Sequence, residues 1–137
     1  MLTKAQLRAV ARLRDAKERA SLEQFVVEGD KVVRETLTAG WPMVEVFATE
    51  EWTASLPAAL RSALPGLTVV SERELRALSL QTTPHGALAI VEQKPRALDW
   101  DDVFSDTVLA LDAIQDPGNF GTLLRVAAWF GVRHILA

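Results

Sequence analysis

The sequence predicts an α/β protein built in two units, on three observations. Helix-like and strand-like segments alternate along residues 1–92. Two nearly apolar runs, 107–114 (TVLALDAI) and 132–137 (VRHILA), flank a Gly-containing turn and a helical stretch. Between these regions, residues 93–105 hold Pro95 and several Asp but few apolar side chains. Alternation of this kind makes a layered α/β sandwich. Strand, turn, helix, strand makes a parallel βαβ unit with a right-handed crossover. The polar, Pro-containing interval is where a linker belongs. The expected division is 1–92, a linker at 93–105, and a second unit at 106–137.

The elements follow in order. Helices are expected over 3–22, with a break near Arg14. Leu2, Leu7, Val10, Ala11, Leu13 and Ala16 recur at helical spacing and mark a buried stripe. A strand at 25–28 ends at Gly29, and Asp30 is placed to cap a helix through Leu37 that Gly40 closes. Residues 44–48 (VEVFA) read as a short strand. A helix over 50–64 must accommodate Pro57 before Pro65-Gly66 ends it. Residues 67–70 read as a strand. Ser71 with Glu74 three positions on is a capping box for a helix ending near Leu78. Residues 85–91 form the last strand of this unit.

Composition excludes several classes. The 137 residues contain no Cys, so there is no disulfide framework, thiolate metal site or Cys nucleophile. Two His do not make a His-built metal site, and no metal is expected. No run approaches the roughly 20 apolar residues of a membrane span, and no apolar leader opens the chain. A cytoplasmic protein is the default expectation. The net charge is −3, yet residues 1–22 carry six Lys/Arg against only Asp15 and Glu18. The rest of the chain therefore holds the excess of acid. A basic helix reads first as a solvated face; beside a nucleic-acid motif it reads as a phosphate-contacting surface.

The turn at Asp116-Pro117-Gly118-Asn119-Phe120-Gly121 carries the chemistry. It lies at the carboxyl end of a strand, where open α/β sheets place their ligands. Pro117 pushes Asp116 out of the α region. Gly118 is free to take a positive φ, and Asn119 is suited to cap the next helix. Arg125 then shares a helix face with Gly121, Thr122 and Trp129. A guanidinium on the small-residue side of a helix start can grip a phosphate or carboxylate bidentately. The turn lacks the Lys-Ser/Thr of a P-loop and the full G-x-G-x-x-G spacing. The four Trp are not spaced as a base-stacking platform and read mostly as core.

The stretch DPGNFGTLLRVAAWFGV resembles the first motif of SpoU-type (TrmH-like) RNA 2′-O-ribose methyltransferases of the trefoil-knotted SPOUT superfamily. That pattern of Asn, Gly, Arg, small residues and Gly is met by Asn119, Gly121, Arg125, Ala127, Ala128 and Gly131. Residues 13–29 resemble the start of the family's substrate-binding domain, and residues 78–91 its last strand with a Thr-Pro-x-Gly lead-in. The resemblance implies a ribosomal-protein-like α/β/α RNA-binding domain followed by the first βαβ unit of a knotted catalytic domain. It also implies S-adenosylmethionine as methyl donor, rRNA or tRNA as substrate, and a homodimer for the intact protein. Asn119 and Arg125 are the implied catalytic residues. Arg14, Lys17, Arg19, Lys31 and His85 are the RNA-binding candidates. For His85 a surface-turn role stands beside the RNA-facing one. The segments that bind the cofactor lie later in the family's chains, so this chain alone is expected to bind RNA without catalysing. Two other readings stay open: a non-catalytic RNA-binding module, and a flavodoxin-like nucleotide-binding domain.

Overall fold

The structure is a computed structural model that describes residues 2–81, 83–94 and 99–137. It divides into two compact units, Met1–Lys94 and Pro95–Ala137. The first contains α1 (Lys4–Arg12), α2 (Ala16–Leu22), β1 (Gln24–Glu28), α3 (Asp30–Thr38), β2 (Met43–Ala48), α4 (Glu50–Ser55), α5 (Ala58–Ser62), β3 (Leu67–Val69), α6 (Glu72–Leu78) and β4 (Ala87–Glu92). The sheet order is β1-β4-β2-β3. Strand β4 runs antiparallel to β1 and β2, and β2 runs parallel to β3.

Alternation along the strands builds two cores, one on each face of the sheet. Ala87, Ala89 and Val91 of β4 join Val46 and Ala48 of β2 in the first, beneath Val33 of α3 and Trp52 of α4. Leu88, Ile90 and Phe47 point the other way, onto Val10 and Leu13 at α1 and Leu75 and Leu78 of α6. All five residues Ala87 to Val91 are buried. Burying one such large aliphatic or aromatic side chain contributes roughly 1.5–3 kcal/mol. A bulge between Met43 and Glu45 lets Met43 rejoin the first core, while Val44, the extra residue, stays exposed.

Local chemistry sets the element ends. The Ser71–Glu74 capping box forms as the sequence indicates, and Thr3 with Gln6 forms another on α1. Glu74 also accepts the Leu2 amide at 3.1 Å. The Ser71 amide foremost, then that of Leu2, holds its carboxyl at about 2. Asp30 does not cap α3. Gly29 occupies the cap position at φ 98°, and the Asp30 side chain bonds elsewhere. The single helix expected over 50–64 is two, because Pro57 cannot donate a backbone hydrogen bond. Arg61 mends the break by donating to the Ala54 and Leu56 carbonyls, both at 3.0 Å.

The second unit contains α7 (Trp100–Phe104), β5 (Val108–Ala110), α8 (Pro117–Trp129) and β6 (His134–Leu136). Strands β5 and β6 pair in parallel, Val108 opposite His134 and Ala110 opposite Leu136, with α8 as the crossover. Residues 100–104 of the expected linker are therefore helical, capped by Asp99. Residues 95–98 of that linker lie outside the described residues. Arg133 ties α7 to β6 through Asp106 at 2.8 Å and Asp102 at 3.4 Å. The strand expected over 107–114 shortens to three residues, and Ala113 takes φ 55°. Two paired strands of three residues are marginal alone. Amides in β5 and β6 are therefore expected to exchange with solvent much faster than those in β1 and β4. Equal protection by hydrogen-exchange mass spectrometry would contradict this.

Gly86 supports a second prediction. Its φ is +74°, and an added Cβ would stand 2.5 Å from Trp52 Cδ1. Trp52 is only 5% exposed and has little room to retreat. Left-handed backbone costs a non-Gly residue about 1–2 kcal/mol, and overpacking about 1–3. Gly86→Ala is expected to lower stability by roughly 2 kcal/mol or more in urea melts. A change within 0.5 kcal/mol, about the noise of surface substitutions, would show that the loop yields freely.

Candidate functional site

Of the two catalytic candidates, Asn119 lies in the first turn of α8 and Arg125 further along it. Asp116, extended at φ −83° and ψ 118°, caps this helix and accepts from Gly118 N at 3.3 Å and Asn119 N at 2.9 Å. Pro117 fills the first helical position, where its missing N–H costs nothing. Asn119 is thus not the cap that its residue type suggested, and Gly118 is helical rather than left-handed. The cap leaves the exposed Asn119 carboxamide uncommitted to it. Arg125 folds back along the helix and donates to Thr122 Oγ1 at 3.2 Å. Its Nη1 lies 3.7 Å from where a Gly121 Cβ would be. An Ala at 121 would merely touch the guanidinium, whereas a longer side chain would displace it. The Arg125 guanidinium is a cation that suits an anion rather than a sulfonium, and the Asp116 carboxylate is engaged by the helix-start amides.

The RNA-binding candidates differ in how committed they are. Arg19 donates to the Leu13 and Arg14 carbonyls at 3.0 and 2.8 Å, closing the corner between α1 and α2. That is a structural task at a helix C-terminus. Arg14 and Lys17 are exposed on the same corner, and Arg14 reaches the Ser79 carbonyl at 3.5 Å. Lys31 stands out from the first turn of α3 with its side chain 85% exposed, 3.9 Å from Glu35. His85 is exposed on the loop between α6 and β4. Glu28 fixes that loop, accepting from Ser79 Oγ and from Leu80 N at 2.9 Å. Gly29 N bonds Ala87 O at 2.9 Å and Thr49 N bonds Gly86 O at 3.0 Å. The α1–α2 corner, the β1–α3 turn and the α6–β4 loop are thereby gathered at one end of the sheet.

Next to His85 is an arrangement that sequence reasoning missed. Arg34 Nε donates to Asp30 Oδ1 at 2.5 Å and its Nη2 to Ser55 Oγ at 2.6 Å. The guanidinium lies over the Trp52 ring, 5.2 Å from its centroid. The Trp52 indole N–H also donates to Asp30 Oδ1, at 2.6 Å. The Arg34 hydrogen bond foremost, with Trp52 and the Arg34 charge adding, keeps the Asp30 carboxyl below its ordinary range. A cavity of about 430 Å³ opens beside this group, lined also by Leu75, Arg76, Thr83, Pro84 and His85. The Asp30–Arg34 spacing is a legible helical pair. Nothing local marks Trp52 and Ser55 as its partners.

Residues 4–89 match the family of MRM3-like substrate-binding domains. Over 125 residues the chain is 29% identical to the 23S rRNA (guanosine(2553)-2′-O)-methyltransferase RlmP of Bacillus subtilis, covering 91% of this chain and 48% of that protein. A structure from the TrmH family of RNA methyltransferases of Porphyromonas gingivalis superposes with TM-score 0.74 at 31% identity, over 98% of this chain and 51% of that one. The AdoMet-bound rRNA methyltransferase of Sinorhizobium meliloti superposes with TM-score 0.74 at 27% identity, with the same coverage. The chain thus spans about half the length of these relatives. The fold is the expected one in its order, an α/β/α domain followed by a βαβ unit, and both superpose on these RNA methyltransferase structures. Through the greater part of its length, this chain belongs to the MRM3-like substrate-binding domain family.

Proposed function

We propose that this chain comprises the RNA-binding domain and the opening catalytic segment of a SpoU-type RNA 2′-O-ribose methyltransferase. Such an enzyme transfers a methyl group from S-adenosylmethionine to a ribose hydroxyl of rRNA or tRNA. The observation that carries this reading is the start of α8. Arg125 reaches back over Gly121 and Thr122, on a helix that follows a parallel strand and carries the exposed Asn119 in its first turn. Relatives of this chain that act on 23S rRNA and bind AdoMet support it. In this reading residues 1–92 form the substrate domain, 93–105 the linker and 106–137 the first part of the methyltransferase domain. The whole protein is a cytoplasmic homodimer. The exposed Val126 and Trp129 on α8 and Phe130 at its C-terminal cap, at 49%, 87% and 77%, support a covered surface there.

Arg125 acts here by position. Its planar fork holds the phosphate next to the target ribose, so that the 2′-hydroxyl oxygen faces the methyl group in line. A guanidinium of pKa above ~12 is a poor proton acceptor. Proton removal is therefore not assigned to it. The methyl donor supplies an activated carbon when bound, and the donors at the start of α8 face the RNA phosphate instead.

Two measurements test the reading. In the protein carrying the complete methyltransferase domain, Arg125→Lys keeps the charge but loses the fork. A loss of methyl transfer of at least ~100-fold is expected, since small misplacements cost that much, with folding and cofactor affinity nearly unchanged. Full activity in the Lys variant would remove the fork from the mechanism. In the present chain, Arg14→Glu with Lys17→Glu is expected to weaken RNA binding. The log–log salt slope should flatten by about 0.9 per lost phosphate contact on a duplex. Unchanged binding at low salt would assign the basic corner to solvent. Arg19 is unsuited to this test because it holds the corner together.

A further inference from the structure

The cavity beside Arg34 and His85 is built for a flat, hydrogen-bonding ligand. Arg34 is held by three groups, the Asp30 carboxylate, the Ser55 hydroxyl and the Trp52 ring. Its side chain nevertheless keeps 29% exposure. One face of the guanidinium covers the indole, and Arg34 is also part of the cavity lining. Guanidinium planes are stacking surfaces for unpaired bases. The buried Leu75 and the half-buried Pro84 give the cavity apolar walls. Exposed Arg76, Thr83 and His85 line it with donors, and Glu51 and Glu72 with acceptors. A volume of about 430 Å³ admits one nucleotide. The mixture of both charges argues against a simple polyphosphate site. A base edge, by contrast, presents donors and acceptors together.

We infer that this cavity receives a single extruded RNA nucleotide, its base stacked on the Arg34 guanidinium and its edge read by the surrounding polar side chains. The inference rests on the proposed RNA-binding role and adds to it a recognition element. The basic corner at Arg14 and Lys17 attracts any RNA backbone, whereas the cavity selects RNA with an unpaired, displaceable base. Arg34 is organised before the ligand arrives, so little ordering is left for binding. Gly86 belongs to the device as well. Any side chain there would drive into Trp52, the ring against which Arg34 is flattened.

The test uses the 137-residue chain and synthetic RNA hairpins: one fully paired, and four that each carry one bulged nucleotide, A, G, C or U. Fluorescence anisotropy reads the affinities. At least one bulged hairpin is expected to bind about tenfold or more tightly than the paired one, the scale of one stacked base. Arg34→Lys keeps the charge but loses the plane, and should erase most of that preference. Should circular dichroism show Arg34→Lys to be unfolded, His85→Ala on the exposed loop replaces it, with a loss of preference again expected. Equal binding of all five hairpins, or a preference that survives in the folded variant, overturns the inference while leaving the RNA-binding role intact. Failure of every hairpin to bind at low salt overturns both. The variant with Glu at positions 14 and 17 separates the two, because it should weaken all hairpins alike and keep the preference.

Discussion

Strand β4 has no polar side between Ala87 and Val91, and the first unit is arranged around that fact. A strand apolar on both faces must be covered on both. Helices α3 and α4 cover one face and α1 and α6 the other, so three layers follow from five residues. The constraint also positions the chemistry. The chain must reach β4 through the α6–β4 loop, which crosses the end of the sheet where β1 runs into α3. Glu28 ties that loop down, and Gly86 makes the last bend against Trp52. The polar groups at this end of the sheet thus sit on a frame set by burial.

The second unit follows a different logic. Its two strands pair over three residues each, and its ordered features are mostly polar: the Asp116 cap, the Arg133 bridge to Asp102 and Asp106, and the Asp99 cap. The Thr107 amide foremost, with the Arg133 hydrogen bond next, keeps the Asp106 carboxyl below its ordinary range. Exposed ion pairs of this kind are worth little individually. The function proposed for α8 thus rests on local helix-start geometry, which a small unit can specify, rather than on a deep core.

Much of this was legible because much of it is local. The Ser71–Glu74 box, the break near Arg14 and the end of β1 at Gly29 are decided by neighbours a few residues apart. The helix start at Pro117 was legible too, but Asn119 was the wrong cap. Asp116 and Asn119 are both good cap residues, and only the preference of Pro for the first helical position separates them. Asp30 shows the other kind of miss. Its residue type suggested a cap, but a partner from α4 claimed the carboxylate. Side chains brought together by tertiary folding, such as Arg34, Trp52 and Ser55, leave no periodic trace in the chain. Strand β5 ended early because β6 offers it only three partners.

The cations at this end of the sheet fall into two kinds. Lys17 and Lys31 are exposed to solvent, whereas Arg34 is held by Asp30, Ser55 and the Trp52 ring. Solvated charges act at a distance and govern how often a polyanion is met. A fixed guanidinium acts only on contact, and its influence falls on how long a partner stays. Raising the ionic strength should therefore slow arrival far more than it hastens departure. In the proposed RNA-binding reading, exchange of one RNA for another is then limited by release from the Arg34 side rather than by capture at the basic corner.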